Sequence, residues 1–413
     1  MTDRRALPAS VLASTLALSA AACGGAEPEP ASVDVGVAVP YIGSGLMTEA
    51  RQAWELVLEQ INEEGGIEHR PLSVHQRTMR LDDADDLTPV ADGFANLTDE
   101  GYKYIISLVS GSALQPMRDA AMPQGVLTMS ITSEDAAADL PEFDGMLLRG
   151  ILPTDRLIQK QAAALQARGL ATMAVVGETA LGVDDARLSM MRAAFDACST
   201  CRSSAVTYPA EADLYRYDWQ SVGAAVMESK PDVVYLASAN VSALLDTIFW
   251  VERAGYTGLY YFAHGAFMSS AALAMPGSRV PERFRSYELG LPPNERLDHF
   301  LASYEERYGE AFVPEPRLIA FADYLSLLAL AMTRVGDADP RAVADAMKEL
   351  AGPPGERFGT LEYVQAAAAV RAGRDIDFVG LSGPLDFDAR GEVADGFIQE
   401  YGVTLDGDVA PLP

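Results

Sequence analysis

Val33-Asp34-Val35-Gly36-Val37-Ala38-Val39-Pro40 leads through Tyr41-Ile42-Gly43-Ser44-Gly45 into Leu46-Met47-Thr48-Glu49-Ala50. Valine at every second position describes a short strand of the kind buried in a parallel sheet, and Pro40 ends it. Leu46, Ala50, Ala53, Trp54, Val57, Leu58 and Ile61 then recur at intervals of three and four, so they share one helix face. Gly65-Gly66 supplies the left-handed stop. The unit recurs as Tyr104 to Val109 before a helix from Ala113, Val126 to Ser130, Ala171 to Val176 before a helix from Asp184, Asp232 to Ala237 before Val241 to Ala254, and Gly258 to Phe262. Strand, loop and helix at this spacing predict right-handed βαβ units and a mainly parallel sheet.

Each of these loops leaves the carboxyl end of a strand, the edge at which open α/β sheets bind ligands. Small hydroxyl residues occupy them: Ser44, then Ser110 and Ser112, then Thr132 and Ser133. A hydroxyl there donates to a ligand carboxylate or caps the following helix. Three such loops in succession point to a shared cleft.

Upstream, Arg4 and Arg5 precede an apolar run from Leu7 to Ala22 that is too short to span a bilayer comfortably and ends in Ala20-Ala21-Ala22. Residues 1–22 read as a signal peptide. Cys23 follows at once and resembles the cysteine of a bacterial lipobox, with Ala20 where that pattern usually has leucine. The expectation is an acylated Cys23 and a membrane-anchored lipoprotein, with ordinary secretion as the alternative. Residues 23–32 contain Gly24-Gly25-Ala26-Glu27-Pro28-Glu29-Pro30, a tether composition.

With 413 residues, 49% of them hydrophobic, the chain has material for two cores. A net charge of −28 with no basic stripe opposes nucleic-acid partners. Cys198 and Cys201 form an isolated CxxC whose expected fate in an oxidising compartment is a disulfide clip. A thioredoxin-like redox role is the sharper alternative, but no aromatic residue flanks the motif, and zinc would need a second cysteine pair. No GxSxG, Walker lysine or HExxH pattern occurs, so no catalytic residue, metal or cofactor is expected.

The opening strand, the Gly43-Ser44-Gly45 turn, the helix ending Asn62-Glu63-Glu64-Gly65-Gly66-Ile67 and the Asp82-Asp83 pair are followed by Gly125 to Ser130, and by Arg149 before Pro153-Thr154-Asp155. Next come Pro231-Asp232-Val233-Val234-Tyr235, and then Gly383 with Phe387, Asp388 and Gly391. In this order they resemble the leucine/isoleucine/valine-binding family of periplasmic solute-binding proteins. The resemblance covers about Val33 to Val403. It implies an α/β type I periplasmic-binding fold, two doubly wound parallel-sheet lobes joined by three crossovers around a hinge cleft. Lobe 1 would comprise 33–150 plus 268–365, and lobe 2 would comprise 151–267 plus 366–413. It further implies a monomer in the periplasm or cell envelope that captures a small-molecule solute for ABC permease subunits. A sensory or regulatory lipoprotein of the same fold, without a transporter, is the other reading.

Carried over residue by residue, the resemblance puts Tyr41, Ser44, Ser110, Ser112, Thr132, Ser133 and Glu134 on the first lobe's side of the cleft, with Leu181, Asn240 and His264 opposite. Glu134 stands where threonine is common, and Leu181 where many members have an aromatic ring. The loop that often holds an acid for the ligand's ammonium reads Ala263-His264-Gly265. The solute class therefore stays open among amino acid, peptide, amide and related acid. His264 would bond a ligand and titrate near neutrality, or make a structural hydrogen bond. Phe321 falls near a family contact position, but it and Tyr324 lie in an apolar helix from Leu318 to Val335 and read as core.

Overall fold

This computed structural model describes residues 31–40, 44–79, 87–109, 113–132, 144–179, 183–209, 216–238, 240–312, 315–404 and 408–412. The first sheet is built from β1 (Val33–Pro40), β2 (Leu72–Met79), β3 (Tyr104–Ser107), β4 (Leu127–Ser130) and β5 (Leu147–Arg149) in the order β2-β1-β3-β4-β5. Every pairing within it is parallel. The crossovers carry α1 (Ser44–Glu63), α2 (Thr88–Asp99) and α3 (Leu114–Ala121). The valines of β1 face one side, where they pack with Trp54 and Ile61 of α1, while Ala38 faces Phe94 of α2 on the other. Helices thus cover both faces, as a parallel sheet requires.

The second sheet takes β6 (Thr172–Thr179), β7 (Arg202–Pro209), β8 (Val233–Ala237), β9 (Leu259–Phe262), β10 (Phe284–Leu289), β14 (Ile398–Val403) and β15 (Val409–Pro411). Its order is β15-β14-β10-β9-β8-β6-β7, with β14 and β15 antiparallel. On one face α4 (Thr154–Ala167) and α5 (Val183–Asp196) bury Ile158, Leu188 and Phe195. On the other, α6 (Trp219–Glu228), α7 (Val241–Arg253) and α8 (Gly265–Leu273) bury Val226, Ile248 and Met268.

Between β10 and β14 the chain returns to the first lobe, which it completes with α9 (Glu295–Tyr308), α10 (Pro316–Val335), α11 (Pro340–Ala351), β11 (Glu356–Phe358), α12 (Tyr363–Arg371), β12 (Ile376–Gly380) and β13 (Gly383–Pro384). The lobes are therefore joined by three crossovers, after Arg149, after Leu289 and before Ile398. All three meet at a small recess that includes Gly150, Leu152, Leu289, Gly290, Gly396 and Phe397.

The expected boundaries at 268–365 and 366–413 shift accordingly. Met268 belongs to the second lobe's core and β10 pairs with β9 there, because Phe284 is buried against Phe262. The alanine-rich stretch after Gln365 is no crossover. Its Ala366, Ala367 and Ala369 are buried in the first lobe's core, small enough to let α12 pack against α10.

The segment after β13 explains two of the sequence landmarks. Arg149 and Glu392 form a parallel bridge that extends the first sheet beyond β5. Gly391 has φ +80°, and a Cβ there would run into the carbonyl of Leu147, so glycine is required on both counts. Asp388 accepts from the Glu392 amide and pairs with Arg156 at the start of α4, tying this return segment to the second lobe's first helix.

Candidate functional site

In the first lobe the described strand ends form a tight hydroxyl cluster. Thr132 is buried; its Oγ1 lies 3.0 Å from Ser130 Oγ and donates to the carbonyl of Val109 at 3.2 Å. Ser107 Oγ accepts from the Val109 amide at 3.1 Å, and Tyr324 donates to the carbonyl of Ser130 at 3.3 Å. These groups fasten the ends of β3 and β4 to each other and to α10. Thr132 thus already spends its hydroxyl on the scaffold.

Across the cleft, the carboxyl ends of β6, β8, β9 and β10 carry a second polar set. Glu178 is buried, and its Oε1 accepts from Ser238 Oγ and, at 3.4 Å, from the Tyr208 hydroxyl. Ser238 Oγ in turn accepts from the Asn240 amide at 2.9 Å. Glu288 Oε1 accepts from Ser286 Oγ and from the Gly265 amide, both at 2.6 Å. Burial raises the Glu288 carboxyl above its ordinary value, against the opposing pull of those two donors and of the charges on Arg187 and Arg317. An acid thus does reach the loop reading Ala263-His264-Gly265, but it arrives from β10.

Asn240 is the N-cap of α7, its Oδ1 accepting from the amides of Ser242 and Ala243. His264 occupies the equivalent position before α8 without a side-chain cap, its ring 5.8 Å from Phe267 in an edge arrangement. Phe321 lies in the core and not at the family contact position: it is 1% exposed and stacks on Trp54 with centroids 4.6 Å apart. Ser44 opens α1, and its side chain is not described. Tyr41, Ser110, Ser112, Ser133, Glu134, Leu181, the Asp82-Asp83 pair, the signal segment and Cys23 lie outside the described residues.

Cys198 and Cys201 stand as free thiols in the turn between α5 and β7, away from the strand-end rim, in place of the expected disulfide. Hydrogen bonding to Cys201 and Thr200 brings the Cys198 thiol down to about 7. Among the described residues, no group of three His, Cys, Asp or Glu side chains is placed to hold a metal.

The sequence reading missed Glu178, Arg187, Ser238 and Glu288. An acid just beyond the apolar run Met173 to Val176 was the available signal for Glu178, whereas Phe284 to Tyr287, interrupted by Arg285 and Ser286, offered none for Glu288.

Two α/β lobes built on mainly parallel sheets and joined by three crossovers define a hinged ligand-binding protein. The chain belongs to the periplasmic binding protein family, whose model matches residues 32–387. It is accordingly an extracytoplasmic solute-binding protein and not an enzyme. Among solved structures, an ABC transporter substrate-binding protein from Desulfitobacterium hafniense is similar with a TM-score of 0.67 and 18% identity, over 92% of this chain and 100% of that one. A leucine binding protein from Thermotoga maritima follows at 0.61 and 16%, over 92% and 98%. A solute binding protein of an ABC transporter from R. palustris, in complex with benzoate, gives 0.59 and 16%, over 92% and 95%. At these identities the likeness is one of fold. No curated protein matches the sequence.

Proposed function

We propose that the protein is a lipoprotein, anchored through Cys23, that captures a small polar organic solute between its lobes and delivers it to the permease subunits of an ABC importer. The solute is an amino acid, peptide, amide or related acid. The observation that carries this reading is the meeting of three crossovers at one recess, which gives the lobes a common hinge. Support for the solute class comes from the polar strand ends on the second lobe, where acids and hydroxyls converge. Each lobe contributes a rim of strand ends, so a solute between them bridges the two and favours the closed state.

A thermal-shift screen of the chain beginning after Cys23 tests the capture. A bound solute at 100 times its dissociation constant adds about 2.7 kcal/mol of stability. The expected result is a shift confined to one chemical class among amino acids, short peptides, amides and aromatic acids. No shift anywhere in the panel contradicts solute capture.

A further inference from the structure

Arg187 lies one turn into α5, the helix that follows the carboxyl end of β6. Its neighbour Leu188 packs on Gly177, where an added Cβ would stand 2.8 Å from the leucine, so the start of α5 is clamped at the level of the strand ends. The Arg187 side chain is 8% exposed and its Nε is buried without a hydrogen-bond partner. No ion pair among the described residues includes it. A buried guanidinium nitrogen without a hydrogen-bond partner is a costly arrangement.

The contrast with the other deeply buried arginine is instructive. Arg149 is 5% exposed and has Glu392 at 3.4 Å. The acids of the rim are already served: buried Glu178 by Ser238 and Tyr208, and half-buried Glu288 by Ser286 and the Gly265 amide. Neither comes within ion-pair distance. The charge of Arg187 does act on Glu288, which places both groups in one electrostatic neighbourhood.

We propose that Arg187 receives a carboxylate of the solute, and that the solute class is therefore an organic acid. This rests on the capture reading above and narrows it. The guanidinium presents a planar fork that matches a carboxylate's two oxygens. Glu288 disfavours a second negative charge on the ligand, because a dianionic phosphate would meet repulsion there. Closing the cleft over the acid gives the guanidinium an anion within hydrogen-bond distance, and gives Nε the partner it lacks.

The test pairs acids with their amides: benzoate with benzamide, butyrate with butyramide, and leucine with leucinamide. Melting and titration are read on the chain beginning after Cys23 and on its Arg187→Met variant, which keeps the apolar stem. Expected are binding by at least one acid and not by its amide, and a loss of at least about thirtyfold in that acid's affinity in Arg187→Met. The unliganded variant should melt at or above the wild-type temperature, since a buried, unpaired Nε has been removed. Amide binding as strong as the acid's, or unchanged acid affinity in Arg187→Met, overturns the proposal and leaves solute capture standing. A fall in the unliganded variant's melting temperature also overturns it, because Arg187 would then be serving the fold. Silence from all six compounds counts against the proposal and the capture reading together.

Discussion

Asp323 has no exposed surface and holds three segments of the first lobe together. From the middle of α10 its carboxylate accepts from the Thr360 hydroxyl, from the Leu381 amide at 2.8 Å, and from the amide and hydroxyl of Ser382 at 2.9 and 2.6 Å. Four donors around one buried acceptor leave several groups unmatched when it is removed. Asp323→Ala should therefore destabilise the protein by about 3 kcal/mol or more, read as a lower urea midpoint. A change of less than about 1 kcal/mol would show that these donors find water instead. The residue was illegible beforehand, because an acid in so acidic a chain carries no signal until its three partners are brought beside it. Phe321, on the same helix, was legible as apolar, but the stacking on Trp54 that removes it from the cleft was not.

At the scale of elements, capping decides what a strand-end polar group does. Asn240 satisfies two amides of the first turn of α7, so Asn240→Ala should cost about 1 kcal/mol of stability. The affinity for the solute should stay unchanged. Loss of affinity without loss of stability would return Asn240 to the ligand. The elements themselves differed in legibility for a physical reason. β1, β3, β4, β6, β8 and β9 lie inside their sheets and read as apolar or alternating runs. β2 and β7 are edge strands with mostly exposed or half-buried side chains, Ser73 to Thr78 and Arg202 to Thr207, so their periodicity is masked. β14 is partly buried throughout most of its length and pairs antiparallel, which no βαβ pattern announces. Helix α10 has a mean hydropathy of 1.6 over its most apolar window, enough to cross a membrane, yet 83% of that window is buried inside the protein. It is the first lobe's central helix, packed on α1, α11 and α12.

At the scale of the molecule, the order of strands and the three crossings follow from residues widely separated in sequence. Local patterns gave the βαβ units and, through their resemblance to a family, the two lobes. They misplaced the second and third crossings because β10 and α12 declare their lobe only through packing, Phe284 on Phe262 and the small face of Ala366, Ala367 and Ala369 against α10. The candidate cleft divides similarly. Its hydroxyl loops were visible, whereas Arg187, Glu178 and Glu288 acquire meaning only when β6, α5 and β10 are brought to one rim. The Gly150, Leu289 and Gly396 crossovers leave the lobes one shared axis, so solute binding should be read as a change of overall shape. Small-angle scattering of the chain beginning after Cys23, with and without a saturating solute identified by melting, measures that directly. The account predicts a smaller radius of gyration and a shorter maximum dimension in the bound state. One-to-one binding with an unchanged radius of gyration would contradict it.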